Sequence, residues 1–153
     1  TLIEDLSWLE PYLDSITSVK QLKKIDIYSI LMSRLSWKKQ QDLERLFPSH
    51  FQAPSGPRIK LQYVPGEPPV LAVRIQELFG ATVSPTICDG KISVIIHLLS
   101  PARRPVQVTG DLASFWKNTY PEVKKELAGR YPKHYWPEDP FVAQATARCK
   151  SRR

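Results

Sequence analysis

Residues 86–99, TICDGKISVIIHLL, decide the fold of this 153-residue chain. They place the turn Asp89-Gly90 between two runs of β-prone residues, and Asp-Gly in that setting is the strongest short-range signal for a β-hairpin. The arm after the turn is nearly all apolar from Val94 to Leu99, which is typical of a central strand. We therefore predict a sheet in the middle of the chain.

The segments on either side add to this sheet. Residues 58–64, RIKLQYV, alternate polar and apolar side chains and predict a half-exposed strand, and residues 106–108 predict another. Residues 47–57, FPSHFQAPSGP, carry three prolines and can hold neither a helix nor a central strand, so they form a joint. Residues 70–79 return to a helical period, with Pro69 near the first turn and Gly80 just past the end, so we predict a helix there.

Both ends of the chain carry helical patterns. Residues 1–50 contain two start signals, Ser18 in capping-box spacing with Gln21 and Ser36 ahead of Trp37. Near the other end, Thr109 or Asp111 can cap a helix through residue 116, and a second helix is predicted from Pro121 to residue 128. Residues 130–140, RYPKHYWPEDP, are too rich in proline for either regular structure and predict an extended loop.

These elements predict an α+β fold. An N-terminal helical portion, residues 1–50, would pack on a small and mostly antiparallel sheet, and C-terminal helices and an extended loop would cover it. Residues 51–140 form the mixed body, which we expect to make one compact unit with residues 1–50. Residues 141–153, with Arg148, Lys150, Arg152 and Arg153, are expected to form a flexible basic tail.

Length and composition indicate a single globular domain. Apolar runs fall well short of the ~20 residues that span a bilayer, and the acidic start TLIEDLSWLE is unlike a signal peptide. We therefore expect a cytoplasmic protein without a membrane partner. The two cysteines, Cys88 and Cys149, fit neither a disulfide framework nor a zinc motif and are expected to be reduced thiols.

The net charge of +7 is concentrated in the last third of the chain. Residues 1–50 are neutral in sum, and residues 101–153 hold eleven Lys or Arg against five Asp or Glu. Basic and aromatic side chains interleave there, which is a pattern typical of proteins that bind single-stranded RNA or DNA. The candidate binding residues are Arg103, Arg104, Lys117, Lys124, Lys133, Tyr135 and Trp136.

Two other interpretations of these residues remain open. The charges can simply be a solvated surface, and the aromatic rings can be buried anchors of the loop. Aromatic and arginine residues are also enriched in protein interfaces, so a docking or structural module is the alternative function. The common motifs of phosphate loops, metalloproteases, serine hydrolases and dinucleotide sites are absent from the sequence, and we predict no catalytic residue and no metal ligand.

Three stretches carry a resemblance to a known family. PPVLAVRIQELFG (residues 68–80), HLLSPARRPVQVTGDLASFW (residues 97–116) and NTYPEVKKELAGRYPKHYWPEDP (residues 118–140) resemble the C-terminal domain of bacterial HrpB-type ATP-dependent helicases. The opening WLEPYL and the joint APSGPRIKLQY are similar to the upstream part of that domain, so the resemblance covers nearly the whole chain.

The resemblance implies that this chain is part of a longer helicase. HrpB-type proteins are DEAH-related superfamily 2 helicases, whose ATP-binding motifs lie N-terminal to the matched region. ATP and magnesium are therefore implied for the parent helicase, and no cofactor is expected in this chain. The chain lacks an initial Met and is expected to be a piece of a longer protein, an accessory domain whose partners are the motor domains and single-stranded nucleic acid.

Overall fold

The computed structural model describes residues 5–147. The chain divides into two compact units, and the boundary falls between Gln41 and Asp42, inside the last helix of the helical portion. The boundary that we predict at residue 50, and the single compact unit spanning it, stay predictions. Arg148, Cys149, Lys150, Arg152 and Arg153, which we assign to the basic tail or to the pair of thiols, lie outside the described residues.

The first unit is made of short helices. They are a 3-10 turn at Ser7–Tyr12, α1 at Val19–Leu22, α2 at Ile27–Ser33, and α3 at Trp37–Leu46, which crosses the boundary. Ser18 and Gln21 form the predicted capping box, because the Ser18 hydroxyl accepts from the Gln21 backbone N–H and the Gln21 carboxamide accepts from the Ser18 N–H. The start signal at Ser36 is also confirmed, since α3 begins at Trp37.

The second unit is built on a five-stranded sheet with the order β1-β2-β3-β6-β7. Its strands are β1 (His50–Gln52), β2 (Arg58–Gln62), β3 (Val70–Arg74), β6 (Ile95–Leu99) and β7 (Pro105–Thr109), and a separate hairpin pairs β4 (Thr86–Ile87) with β5 (Ile92–Ser93). All pairings are antiparallel except the parallel pair of β3 and β6. The α+β class and the mostly antiparallel sheet are confirmed.

The helix predicted over residues 70–79 is wrong. Val70–Arg74 forms strand β3, and a 3-10 turn at Ile75–Glu77 follows it. Side chains at 71, 75 and 78 satisfy a helical spacing, but Leu71 and Val73 alternate with less buried neighbours as in a strand. Pairing with β2 and β6 on both sides decides between the two readings, because a helix would leave the facing edges of those strands without backbone hydrogen-bond partners.

The hairpin at Asp89-Gly90 is confirmed, but its second arm is shorter than predicted. Residues 91–99 split into β5 and β6, which belong to different sheets. The split falls at Val94, whose backbone N–H donates to Pro85 O at 3.0 Å. Ile95 then turns to the other sheet, where its N–H donates to Pro69 O at 2.9 Å. The predicted strand at 106–108 is confirmed as β7.

The two predicted C-terminal helices form one helical segment. α4 (Leu112–Ser114) is capped by Asp111, and α5 runs over Tyr120–Arg130 with a π-helical turn, Phe115–Thr119, between them. The cause is Pro121, which has no N–H and whose ring would collide with the carbonyl four residues back. The Tyr120 N–H therefore donates to Phe115 O, five residues back, and the wider turn makes room for the ring.

The core lies on one side of the large sheet. Alternate strand residues point to that side, including Leu61, Leu71, Val73, Ile96 and Leu98. The helical segment covers them with Leu112, Phe115, Trp116, Tyr120 and Leu127. The opposite side of the sheet is only partly covered.

In the described residues, every helix is too short or too polar to cross a membrane.

Candidate nucleic-acid interface

A tight turn between β6 and β7 presents the first two candidate residues, Arg103 and Arg104. Ser100 holds the turn closed: its N–H donates to Arg104 O at 2.8 Å, and its carbonyl and hydroxyl oxygens accept from the N–H groups of Arg103 and Arg104 at 2.8 and 3.2 Å. Both arginine side chains are exposed, and neither forms an ion pair with a carboxylate of residues 5–147. The turn therefore offers two free guanidinium groups to solvent.

The proline-rich loop after α5 lies beside this turn. Tyr131 Oη is 3.5 Å from Ser100 Oγ, which brings the start of the loop against the turn. Inside the loop, the His134 N–H and the Trp136 indole N–H both donate to Tyr131 O, at 3.1 and 3.0 Å. The extended loop is confirmed, and hydrogen bonds to a single carbonyl organise it.

The two candidate aromatic residues differ in what they leave accessible. Trp136 is half-buried and packs against the core, and its indole N–H donates a hydrogen bond within the loop. Tyr135 is 37% exposed and packs edge-on against Phe79, with ring centroids 6.2 Å apart. Trp136 is thus an anchor of the loop, and Tyr135 keeps part of its ring open to a stacking partner.

The three candidate lysines have different surroundings. Lys117, on the π-helical turn, and Lys133, in the loop, are exposed and have no ion-pair partner within the described part of the chain. Lys124 is only 18% exposed and forms an ion pair with Glu138. The pair offsets part of the charge of Lys124 and lowers what that lysine can contribute to binding an anion.

The surroundings of the His134 imidazole, in the loop, disfavour its protonated form. Burial, and then the positive charge of Arg74, lower the pKa of this imidazole below 6.5. Its Nδ1 is buried and has no hydrogen-bond partner among the described residues. The loop therefore favours the neutral form of His134.

This pKa shift predicts a pH dependence of stability. Between the lowered folded pKa and the unfolded value of 6.5, the unfolded chain binds more protons, so the free energy of unfolding falls as the pH drops below about 6.5. Urea denaturation at a series of pH values from neutral to mildly acidic measures this slope. His134→Gln should flatten it in that window, and an unchanged slope in the variant would assign the effect to other groups.

Arg103 also lines a basic cleft that the sequence reasoning missed. Arg58, Lys60 and Arg74 contribute to the same cleft, on the side of the sheet away from the core. The alternation of Arg58 and Lys60 with buried positions was a usable signal for the first two. For Arg74 the sequence favours an ion pair with Glu77 or another carboxylate over a phosphate contact, and the pair with Glu77 is present, with Arg74 Nε 3.0 Å from Glu77 Oε2. Its place beside Arg58 and Lys60 was not predicted, because we assigned its segment to a helix.

The described residues contain no cluster of three or more His, Cys, Asp or Glu side chains that could hold a metal ion.

Comparisons with known proteins identify the class of protein to which this chain belongs. Residues 8–140 match the family model of the ATP-dependent helicase C-terminal domain. The chain therefore belongs to this helicase C-terminal family, and the resemblance drawn from its sequence is confirmed.

Individual relatives agree with the family. The ATP-dependent RNA helicase HrpB of Escherichia coli (strain K12) is 47% identical over 144 residues, which are 94% of this chain and 18% of the relative. A crystal structure of the E. coli DExH-box NTPase HrpB, also 47% identical, superposes with a TM-score of 0.84 over 96% of this chain and 18% of that one. A crystal structure of the Escherichia coli DEAH/RHA helicase HrpB, 45% identical, superposes with a TM-score of 0.66. That match covers 88% of this chain and 17% of the other. The chain thus spans less than a fifth of these relatives.

Proposed function

We propose that this helicase C-terminal domain helps to hold single-stranded nucleic acid, RNA in particular, for the motor domains of a longer chain. The observation that carries the proposal is the pairing of the Ser100 turn with the loop after α5. Arg103, Arg104 and Lys133 are exposed there without ion-pair partners among residues 5–147, and the turn touches the loop through Ser100 and Tyr131.

Electrostatics explains what such a surface contributes. Each cation that neutralises a phosphate releases condensed counterions, which adds affinity that does not depend on the base sequence. The ring of Tyr135 is 37% exposed and can add stacking on one base, a contact that typically contributes about 1–3 kcal/mol. We propose that ATP and magnesium act in the motor domains of the longer chain. We also propose a cytoplasmic location for the whole protein.

The first expected result is salt-sensitive binding. The 153-residue chain should bind a fluorescent single-stranded RNA of about a dozen nucleotides with micromolar affinity at low salt, and the affinity should collapse between ~50 and ~200 mM salt. Fluorescence anisotropy measures both. No binding at low salt would overturn the proposal and leave the docking function in its place.

The double variant Arg104→Gln/Lys133→Gln tests which cations act. Removing two phosphate contacts should reduce the slope of log K against log salt by about 1.4, since each contact on a single strand contributes about 0.7. Both side chains are exposed, so the variant should fold normally. A slope equal to that of the wild type would remove these two residues from the interface.

A second candidate function is docking on the rest of the helicase, and a different observation favours it. The helices of the first unit have no buried residue. They expose several large apolar side chains, namely Leu6, Tyr12, Val19, Leu22, Ile27, Tyr28 and Trp37. The relatives contain more than four fifths of their length outside the matched region, so chain is available there to cover these side chains.

A further inference from the structure

The side of the large sheet away from the core forms a cleft of ≈ 290 Å³. Strands β2 and β3 form its floor with alternate residues, among them Lys60 and Ala72, and Leu99 at the end of β6 lies opposite Arg74 in the parallel register. Arg103, from the turn between β6 and β7, also lines it. Sheets that place a helical layer on one face and leave the other open have a ready surface for an extended ligand.

The charges in this cleft are nearly all positive. Arg58, Lys60, Arg74 and Arg103 line it, and Glu77 is the one carboxylate that reaches it. Glu77 is already engaged, because its Oε2 accepts from Arg74 Nε at 3.0 Å. No carboxylate of the described residues forms an ion pair with the other three cations. Like charges that converge without a counter-ion repel one another, so an anion in the cleft would stabilise them.

The backbone at Arg103 gives a second and independent observation. Its φ is +60°, in the left-handed region that favours glycine or asparagine. An arginine costs free energy at such a position, so the geometry of the turn alone does not call for this residue. Strained residues of this kind cluster at functional sites, and in the described residues Arg103 shares this conformation with Cys88 and Asp89 of the hairpin turn.

From these observations we infer that the cleft is a phosphate-binding subsite through which the backbone of a single-stranded nucleic acid passes. This inference rests on the proposed function and extends the interface onto the sheet. Arg58, Lys60 and Arg103 contact phosphates, and Arg74 is held in place by Glu77. The volume lies at the lower end of what a whole small molecule needs, so it suits a sugar-phosphate segment of a longer chain.

The lining also determines what the cleft can recognise. It contains no aromatic ring, so it offers phosphate contacts without base stacking. We expect its contribution to be the same for oligo(U) and oligo(A), and the same for RNA and DNA of equal length. Base stacking belongs to Tyr135 in the loop.

The test compares two double variants of equal charge change in the 153-residue chain. Arg58→Gln/Lys60→Gln removes two cations from the cleft, and Lys38→Gln/Lys39→Gln removes two exposed cations from α3. Anisotropy with oligo(U), oligo(A) and oligo(dT) of about a dozen nucleotides, at several salt concentrations, gives the slope for each protein. Circular dichroism checks that both variants fold.

Each result decides a different point. The cleft variant should lose about 1.4 from the salt slope on all three ligands, and the α3 variant should keep most of the wild-type slope. Equal slopes in the two variants, with binding by the wild type intact, would overturn the cleft and leave the proposed function standing. A wild-type chain that binds none of the ligands would overturn both.

Discussion

Replacing Trp116 by alanine is expected to destabilise the domain by about 3–5 kcal/mol, which is the usual cost of deleting a large buried aromatic side chain. Trp116 is 2% exposed, and its indole N–H donates to Ala81 O at 2.7 Å. Its ring lies 5.0 Å from Phe115, 5.4 Å from Tyr120 and 5.7 Å from Phe79, centroid to centroid. The substitution therefore leaves a cavity and also an unpaired carbonyl.

Two further variants separate these causes. Trp116→Phe keeps an aromatic ring but loses the N–H donor, so it should cost less than the alanine variant. Trp37→Ala removes a tryptophan that is 73% exposed and should change the free energy of unfolding by no more than about 0.5 kcal/mol. Urea denaturation followed by circular dichroism measures all three. Similar losses at Trp116 and Trp37 would contradict the packing described for this cluster.

The parts of the fold that the sequence predicted are those set by local signals. The capping box of Ser18 and Gln21, the cap at Asp111 and the turn at Asp89-Gly90 each involve residues within a few positions of one another. Hydrogen bonds of this range depend little on the rest of the chain, unlike the start and stop signals at Pro69 and Gly80, which strand pairing overrode. Such signals therefore survive the step from sequence to structure.

Strand β3 shows what local signals leave undecided. Its apolar residues fit a helix and a strand equally well, and the choice depends on β6, which begins twenty-one residues after β3 ends. Parallel strands are joined by a long crossover rather than a tight turn, so no short sequence motif predicts their pairing. The error had a functional consequence, because it kept Arg74 away from Arg58 and concealed the cleft that both residues line.

The candidate interface divides in the same way between what composition predicts and what packing decides. The concentration of cations after residue 100 could be counted directly. The sequence could not show which of these cations have ion-pair partners. Lys124 pairs with Glu138 because the loop folds back beside α5, whereas Arg104 and Lys133 pair with no carboxylate in residues 5–147. Exposure of aromatic rings depends on the same tertiary contacts, which is why Trp136 and Tyr135 could not be told apart beforehand.

Replacing Gly80 by alanine is the second change with a large expected effect. Gly80 has φ +78°, its N–H donates to Pro140 O at 2.8 Å, and an added Cβ would lie 2.9 Å from Ala143 O. The left-handed backbone alone costs an alanine about 1–2 kcal/mol. The contact with a backbone carbonyl adds to this, because the chain at Ala143 must move away.

Gly66 provides a matched control for the backbone contribution. Its φ is +80°, and an added Cβ would meet no atom within 4 Å, so Gly66→Ala carries the conformational cost without the contact. We expect Gly80→Ala to lose at least about 1 kcal/mol more than Gly66→Ala in urea denaturation. It should also speed hydrogen exchange at the Thr146 N–H, which donates to Gln76 O at 2.9 Å in the segment that packs over Gly80. Equal losses in the two variants would mean that the segment gives way freely, and that its contacts with Gly80 contribute little to the stability of the domain.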